Sequence, residues 1–523
     1  MKKKRLSMMY VLCMLAFNAI AALASVSGND VALKFDPANY VEKTIEFPNG
    51  KTVKYRAYEH IYYVTNVEDS TYQFLNYFVP QSAYANNSHT PIFFRTYVGG
   101  YMASPAGEPN ETDASGRALL EGYVVCIPGS RGSNSIVERK KGKIVYTGKA
   151  PAGLVDLKAA VRYLRFNDAL MPGDAEKIIT DGTSAGGAMS SLLGATGNNP
   201  AYDFYLKSMG AASARDDVFA SVCYCPITDL NHADMAYEWL YSCTNDSIRK
   251  ISDEQKIISG ELSAAFPEYL NGLNLRKADG SQITIDNYLD YIKTFLIKSA
   301  QRAKDEGCDL PTNAGIKLNQ PKMMKFGGTV PTGQRPPKLD SLKPDNGMPM
   351  NIPLRGEMRG GGIGTGDFVM DIDMKEYLNY VATTQALKNP PAFDQLGVTK
   401  ESKASPENSV FGDAKGNPSN FTQYSFTKNK DLGKAKMDVS VQERVRIMNP
   451  MNFIGDGEST TAPNWFIRHG ARDRDTSFAI SVNLATKLMN CGKNVDFALP
   501  WNRPHSGDYN LDDLFGWIAS IVK

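Results

Sequence analysis

The sequence predicts an α/β fold: a mostly parallel sheet with helices on both faces and a large segment inserted late in the chain. Three observations carry this expectation. An apolar, β-type run at 177–181 ends abruptly in Gly182-Thr183-Ser184-Ala185-Gly186-Gly187, and small helix-compatible residues continue to 193. Around it, short apolar runs alternate with stretches whose apolar residues recur at helical spacing, as in parallel strands covered on both faces. From 228 to 448 that alternation is lost among Gly- and Pro-rich stretches, and it resumes from 449 to 523.

Residues 1–24 read as a secretory signal, with Lys2-Lys3-Lys4-Arg5, an apolar run at 8–23, and Ala22-Leu23-Ala24 before Ser25. The run is short for a membrane span and is broken by Asn18, and Cys13 lies inside it rather than at its end. No stable membrane anchor is expected, and the mature chain is expected to be secreted or periplasmic. Strands at 43–47 and 52–63 flank Pro48-Asn49-Gly50, a hairpin signal. Further strands follow at 72–79 and 91–97, the second running into Val98-Gly99-Gly100-Tyr101. A short helix at 114–120 precedes a strand at 122–128. A helix at 156–166, with Asp156 in its first turn, precedes the run at 177–181, and a buried strand follows at 218–227.

Within the insertion, 266–273, 285–304 and 374–386 have helical character, separated by loops of which 334–351 and 356–366 are the clearest. Gly362-Ile363-Gly364-Thr365-Gly366 fails the phosphate-loop spacing because Asp367 takes the last glycine's place and no strand precedes it. The chain then returns to a strand from Asn464 that turns at His469-Gly470, a strand at 495–499 and a C-terminal helix from Leu511. Residues 25–227 and 449–523 are thus expected to form two parts of one core, with 228–448 an inserted lid domain.

Hydrophobic residues at 42% and charged residues at 22% are globular values. The formal net charge of +2 turns slightly negative once the four basic residues of the signal are gone, which leaves no electrostatic footprint for nucleic acid. The six cysteines of the mature chain are able to pair in an oxidising compartment, in a connectivity that spacing does not fix. Cys223 and Cys225 alternate on a buried strand, as packed thiols do. No Cys/His set has zinc spacing, so no metal is expected.

Gly-x-Ser-x-Gly between a strand and a helix is the nucleophile elbow, with Ser184 as candidate nucleophile. The turn holds the serine in a strained conformation, and Gly182 and Gly186 keep Cβ atoms out of its crowded corner. The helix behind aims its first N–H groups, that of Ala185 foremost, at the reacting centre. A second oxyanion donor is expected from the Gly99-Gly100 turn, with Gly100 as candidate. Of the five histidines, His60 falls in a hairpin, His89 in a polar loop, His232 at the start of the insertion and His469 at a strand-to-turn corner. His505, in the loop between the last strand and the last helix, is the candidate base. Asp473 follows the His469 corner, and the order Ser, Asp, His is that of α/β-hydrolases. The residues alone do not separate the part of Asp473 from that of Asp475.

These motifs resemble the subtype B tannases of bacteria, α/β-hydrolases that cleave galloyl esters. The resemblance spans most of the mature chain. It is densest in Gly182–Gly187, in Cys225-Pro226-Ile227-Thr228-Asp229-Leu230-Asn231-His232-Ala233-Asp234, in Arg468-His469-Gly470-Ala471-Arg472-Asp473-Arg474-Asp475-Thr476-Ser477 and in Pro504-His505-Ser506-Gly507-Asp508-Tyr509. Fungal tannases and feruloyl esterases of another lineage join cysteines beside the Ser and the His; Thr183 and Ser506 stand there in this chain. The resemblance implies that Asp473 is the triad acid and that Asp475 contacts the phenolic hydroxyls of a gallate. The other reading of Asp475 is a solvated carboxylate paired with Arg472 or Arg474. The family's gallate-binding Lys and Glu match best to Lys388, before Asn389-Pro390-Pro391, and to Glu407, in Ser405-Pro406-Glu407-Asn408.

The expected activity is therefore serine esterase hydrolysis of a small phenolic ester, with no cofactor. Alternatives are a broader feruloyl or chlorogenic-type esterase, a serine peptidase of the same fold, and a non-catalytic binding module that kept it. The chain has no room for the propeller of a prolyl oligopeptidase and shows no blade repeat.

Overall fold

The computed structural model describes residues 32–85, 89–319, 368–398, 404–429 and 437–523. The expected signal at 1–24 and the loops at 334–351 and 356–366 lie outside them. The strands are β1 (Val41–Glu46), β2 (Thr52–Tyr62), β3 (Phe74–Pro80), β4 (Pro91–Arg95), β5 (Val124–Pro128), β6 (Ile136–Arg139), β7 (Lys143–Tyr146), β8 (Asp174–Thr183), β9 (Ala220–Tyr224), β10 (Ile316–Asn319), β11 (Phe368–Ile372), β12 (Asn464–Arg468) and β13 (Asn494–Ala498). The helices that matter below are α1 (Ala114–Leu120), α2 (Ala152–Phe166), α3 (Ala185–Ala195), α4 (Leu230–Tyr241), α5 (Asp253–Gly272), α6 (Ile285–Asp305), α7 (Met374–Thr384), α8 (Pro406–Val410), α9 (Phe478–Asn490) and α10 (Leu511–Ile521).

Nine strands form one sheet in the order β1-β2-β3-β5-β4-β8-β9-β12-β13. The first four pair antiparallel, and every pair from β5 to β13 is parallel. The central strands β4, β5, β9 and β12 are buried at every residue, so they read as continuous apolar runs rather than alternating ones. Neighbouring residues nevertheless point to opposite faces. Tyr77, Phe94, Cys126, Ile178, Cys223 and Ile467 join one apolar cluster. Their neighbours Phe78, Phe93, Val125, Ile179, Val222 and Phe466 join another, closed by Ala118 and Leu119 of α1 and Leu514, Phe515 and Ile518 of α10. Burying a side chain of this size is worth roughly 1.5–3 kcal/mol, so the two faces together fix the sheet.

The α/β fold matches the expectation, with shifts at element ends. The helix expected at 266–273 begins at Asp253, started by a capping box in which Ser252 and Gln255 bond reciprocally. Pro267, which suits a first turn, lies inside it. The β6–β7 hairpin, the antiparallel β10–β11 pair and helices α4, α8 and α9 carry no expectation in the sequence. The six cysteines of the described residues are free. Among the described residues no helix is long and apolar enough to cross a membrane.

Between β9 and β12 the chain leaves the sheet, and its helices α5, α6 and α7 pack onto the core of the sheet. Phe266 and Leu270 of α5, Ile292 and Leu296 of α6, and Tyr377 and Leu378 of α7 belong to the same apolar cluster as the sheet. Its last part is tied down by two buried carboxylates. Asp234 on α4 accepts from the N–H groups of Phe393 (2.7 Å) and Asp394 (3.1 Å). Asp394 in turn accepts from Asn408 (2.7 Å), Asn420 (2.6 Å), the Phe421 and Thr422 N–H groups (3.0 and 2.7 Å) and the Thr422 hydroxyl (2.7 Å). Removing this acceptor strands several buried donors at once. Asp394→Ala is expected to lower unfolding free energy by at least about 3 kcal/mol in urea titration; a change below about 1 kcal/mol would show that the hub is dispensable.

Candidate active site

Ser184 joins β8 to α3 with φ 62° and ψ −122°, a left-handed region that costs a non-glycine residue roughly 1–3 kcal/mol. Its surroundings over-determine this. The Ser184 N–H donates to the Tyr224 carbonyl on β9 (2.9 Å), and its own carbonyl accepts from Ala188 (2.9 Å) and Ile227 (3.2 Å). A Cβ on Gly182 would lie 2.3 Å from the Gly186 carbonyl oxygen, and one on Gly186 would lie 2.8 Å from that of Val98. The corner thus admits no side chain at either place.

His505 follows β13 and meets both of its expected neighbours. Its Nε2 lies 2.9 Å from Ser184 Oγ and its Nδ1 2.8 Å from Asp473 Oδ2. The loop is seated directly on the elbow. A Cβ on Gly507 would come within 1.9 Å of Thr183 Oγ1. Cys225 Sγ donates to the Ser506 carbonyl (2.9 Å), and the Tyr224 hydroxyl to that of Tyr509 (3.0 Å).

Asp473 is fully buried in the turn after β12, and its second oxygen accepts from the Asp475 N–H at 2.7 Å. Three tyrosines that the sequence reading missed hold this turn by its carbonyls. Tyr241 donates to Asp473 (2.9 Å), Tyr237 to Arg474 (2.8 Å) and Tyr377 to Ala471. The i, i+4 spacing of Tyr237 and Tyr241 on one helix face was the available signal.

Two imidazoles face the Asp473 carboxylate. His469 is fully buried, 3.5 Å from Asp473 Oδ2, with Nδ1 on the Ser481 hydroxyl at 2.9 Å. Burial lowers it to about 4 against the pull of Asp473, so it is neutral. For His505, burial acts to lower the pKa, but the Asp473 carboxylate outweighs it and holds the ring above its ordinary value. Burial works against ionisation of Asp473, yet the facing His469 and His505 rings and the Asp475 N–H hold its carboxyl below the usual range.

Ala185 opens α3, so its N–H has no acceptor within the helix. The Gly99–Met102 turn closes with Met102 N–H on the Gly99 carbonyl (3.0 Å), and Gly100 and Tyr101 both have positive φ (55° and 54°). Its approach to the elbow is through Val98, whose carbonyl abuts Gly186, and a Cβ on Gly100 would lie 3.7 Å from the Pro406 ring. Next to Pro406, Glu407 is buried on α8. Burial raises its carboxyl, Lys388 opposes that shift and Asp475 reinforces it. Lys388 Nζ lies 4.1 Å over the Phe393 ring. Asp475 is partly exposed and 3.3 Å from Arg474 Nη1, the pairing weighed as its other reading.

Among the described residues, Cys225, Asp473 and His505 form the grouping whose metal-capable atoms come within 4.8 Å of one another. Those atoms are already committed to Ser506 and to each other.

A family model described as BD-FAE matches residues 85–265, which include the Ser184 turn. No curated protein sequence matches the chain. Among solved structures it is similar to a tannase from Fusobacterium nucleatum, with 36% identity, a TM-score of 0.77 and coverage of 94% of this chain and 99% of that one. The native tannin acyl hydrolase from Lactobacillus plantarum is 35% identical, with the same TM-score and coverage. A tannin acyl hydrolase in complex with ethyl gallate is 36% identical, at a TM-score of 0.77 and again 94% and 99% coverage. With this identity along almost the whole of both chains, on a shared α/β fold, the chain belongs to the tannase family and is a carboxylic ester hydrolase.

Proposed function

We propose that the protein hydrolyses galloyl esters through an acyl-enzyme on Ser184, with His505 as base and Asp473 as the acid that orients it. The observation that carries the reading is the unbroken line from Asp473 Oδ2 through both ring nitrogens of His505 to Ser184 Oγ. His505 takes the Ser184 proton as Oγ attacks the ester carbonyl, and Asp473 stabilises the imidazolium that forms. The oxyanion is received by the Ala185 N–H and an N–H of the Gly100 turn, each such donor being worth roughly 10²–10³ in turnover. His505 then protonates the leaving alcohol, and water releases the acid by the same steps.

The segment 228–448 acts in this reading as a lid that brings Glu407 and Lys388 to the acyl group. Adjacent phenolic hydroxyls donate to Glu407 and Asp475 and accept from Lys388. An acyl group without those hydroxyls would leave the buried Glu407 unpaired, which is the physical basis of selection. The relative solved with ethyl gallate supports an acyl group of this class. The signal at 1–24 would place the enzyme in the periplasm or outside the cell.

Methyl gallate should be turned over in preference to methyl ferulate and p-nitrophenyl acetate, and Ser184→Ala should abolish all three activities. Turnover of ferulate or acetate alone would discard the gallate site. Lys388→Ala should lower kcat/KM on methyl gallate while sparing p-nitrophenyl acetate, and equal losses on both would remove Lys388 from substrate binding. Because Asp473 holds His505 above its ordinary value, the base is neutral only at higher pH. The acid limb of kcat/KM is therefore expected above about 6.5. Asp473→Asn should cut kcat by roughly 10⁴ and move the residual limb to lower pH; a limb that stays in place would mean that another group titrates.

A further inference from the structure

We infer that Arg95 is a positioning residue that holds Ser184 and His505 at their working distance by bridging Asp181 and Asp508. The inference rests on the triad reading above. Arg95 ends β4 and is paired in register with Asp181 on β8. One guanidinium nitrogen bonds Asp181 Oδ2, and the other lies 2.6 Å from Asp508 Oδ2. Asp181 stands three residues before Ser184 and Asp508 three residues after His505, so one rigid planar group ties the elbow strand to the histidine loop at matching offsets. The guanidinium carbon also lies 4.9 Å from the centre of the Tyr97 ring, which fixes it from one side.

Two features give the bridge work to do. The His505 loop has positive φ at Asn502 (56°), Asp508 (55°) and Asn510 (54°). Non-glycine residues keep such conformations only where their surroundings enforce them. The two carboxylates also repel each other: burial raises Asp181, Arg95 opposes this, and Asp508 reinforces it. With the guanidinium in place, that repulsion becomes a shared attraction that draws elbow and loop together. A lysine retains the charge but not the fork that reaches two carboxylates at once.

The test uses the whole enzyme and two readouts that need no galloyl group: the labelling rate with a fluorophosphonate, and kcat and KM for p-nitrophenyl acetate, both normalised to titrated active sites. Asp508→Ala is expected to slow labelling and lower kcat by roughly tenfold to a hundredfold, with KM changed less than about twofold. Asp508→Asn, which retains an acceptor and tolerates the left-handed backbone, should recover most of that loss. Combining Arg95→Lys with Asp508→Ala should cost no more than the worse single change, as for two residues in one bridge. Should Arg95→Lys fail to fold, the two Asp508 variants decide alone. Unchanged labelling in Asp508→Ala, or a loss confined to KM, overturns the bridge while leaving the triad intact. Labelling that persists in Ser184→Ala overturns the triad reading and the bridge with it.

Discussion

The backbone of Ser184 is the constraint on which the surrounding structure depends. A left-handed serine between a strand and a helix is unfavourable in isolation and persists because backbone closes in on it from several directions. Tyr224 takes its N–H from β9. Val98 abuts Gly186 from the β4 side, and Thr183 meets Gly507 from the histidine loop. The last two approaches, and that of the Gly186 carbonyl on Gly182, are close enough to exclude a Cβ, so the glycines at 182, 186 and 507 are steric requirements of one corner. The parallel sheet makes the corner possible because β4, β8 and β9 all end on the same side of it.

Around that corner the protein uses buried charge for placement. A buried ion pair adds little net stability over a packed apolar core, whereas breaking one is costly, so such pairs fix geometry more than they add to the total. Asp473 illustrates the control achieved. The same carboxylate faces two imidazoles of opposite fate: His469, sealed in and bonded to Ser481, is driven neutral, while His505, bonded at 2.8 Å, is held toward its charged form. Distance and solvent access, rather than residue type, separate the two.

What was legible in the sequence was what is local. The elbow has fixed spacing, whereas the split of Phe93 from Phe94 or Ile178 from Ile179 between the two faces is hidden in continuous apolar runs and shows only in the fold. Helix α2 was legible from apolar residues at helical spacing, with Asp156 placed in its first turn rather than inside it. The start of α5 was not, because Pro267 resembles a beginning and lies in the interior. Nor were the residues that hold the site. Arg95 and Asp508 are 413 positions apart, and no pattern within either neighbourhood marks the other. The residues 388 and 407 came from resemblance, since neither sits in a self-contained motif.

The segment between β9 and β12 and the Asp473 turn are mechanically joined, and α4 is the reason. Its Tyr237 hydroxyl donates to the Arg474 carbonyl at 2.8 Å and accepts from the Lys388 N–H at 2.9 Å. One turn further along the helix Tyr241 holds the carbonyl of Asp473, and one turn back Asp234 holds Phe393 and Asp394. A single helix face therefore carries, in order, the anchor of the segment bearing Glu407, the joint to Lys388 and the support of Asp473. A shift of α4 would move Lys388, the segment bearing Glu407 and Asp473 together. If the proposed roles hold, acyl-group selection and the orientation of His505 are set by one element, and the coupling between them runs through the hydrogen bonds of α4.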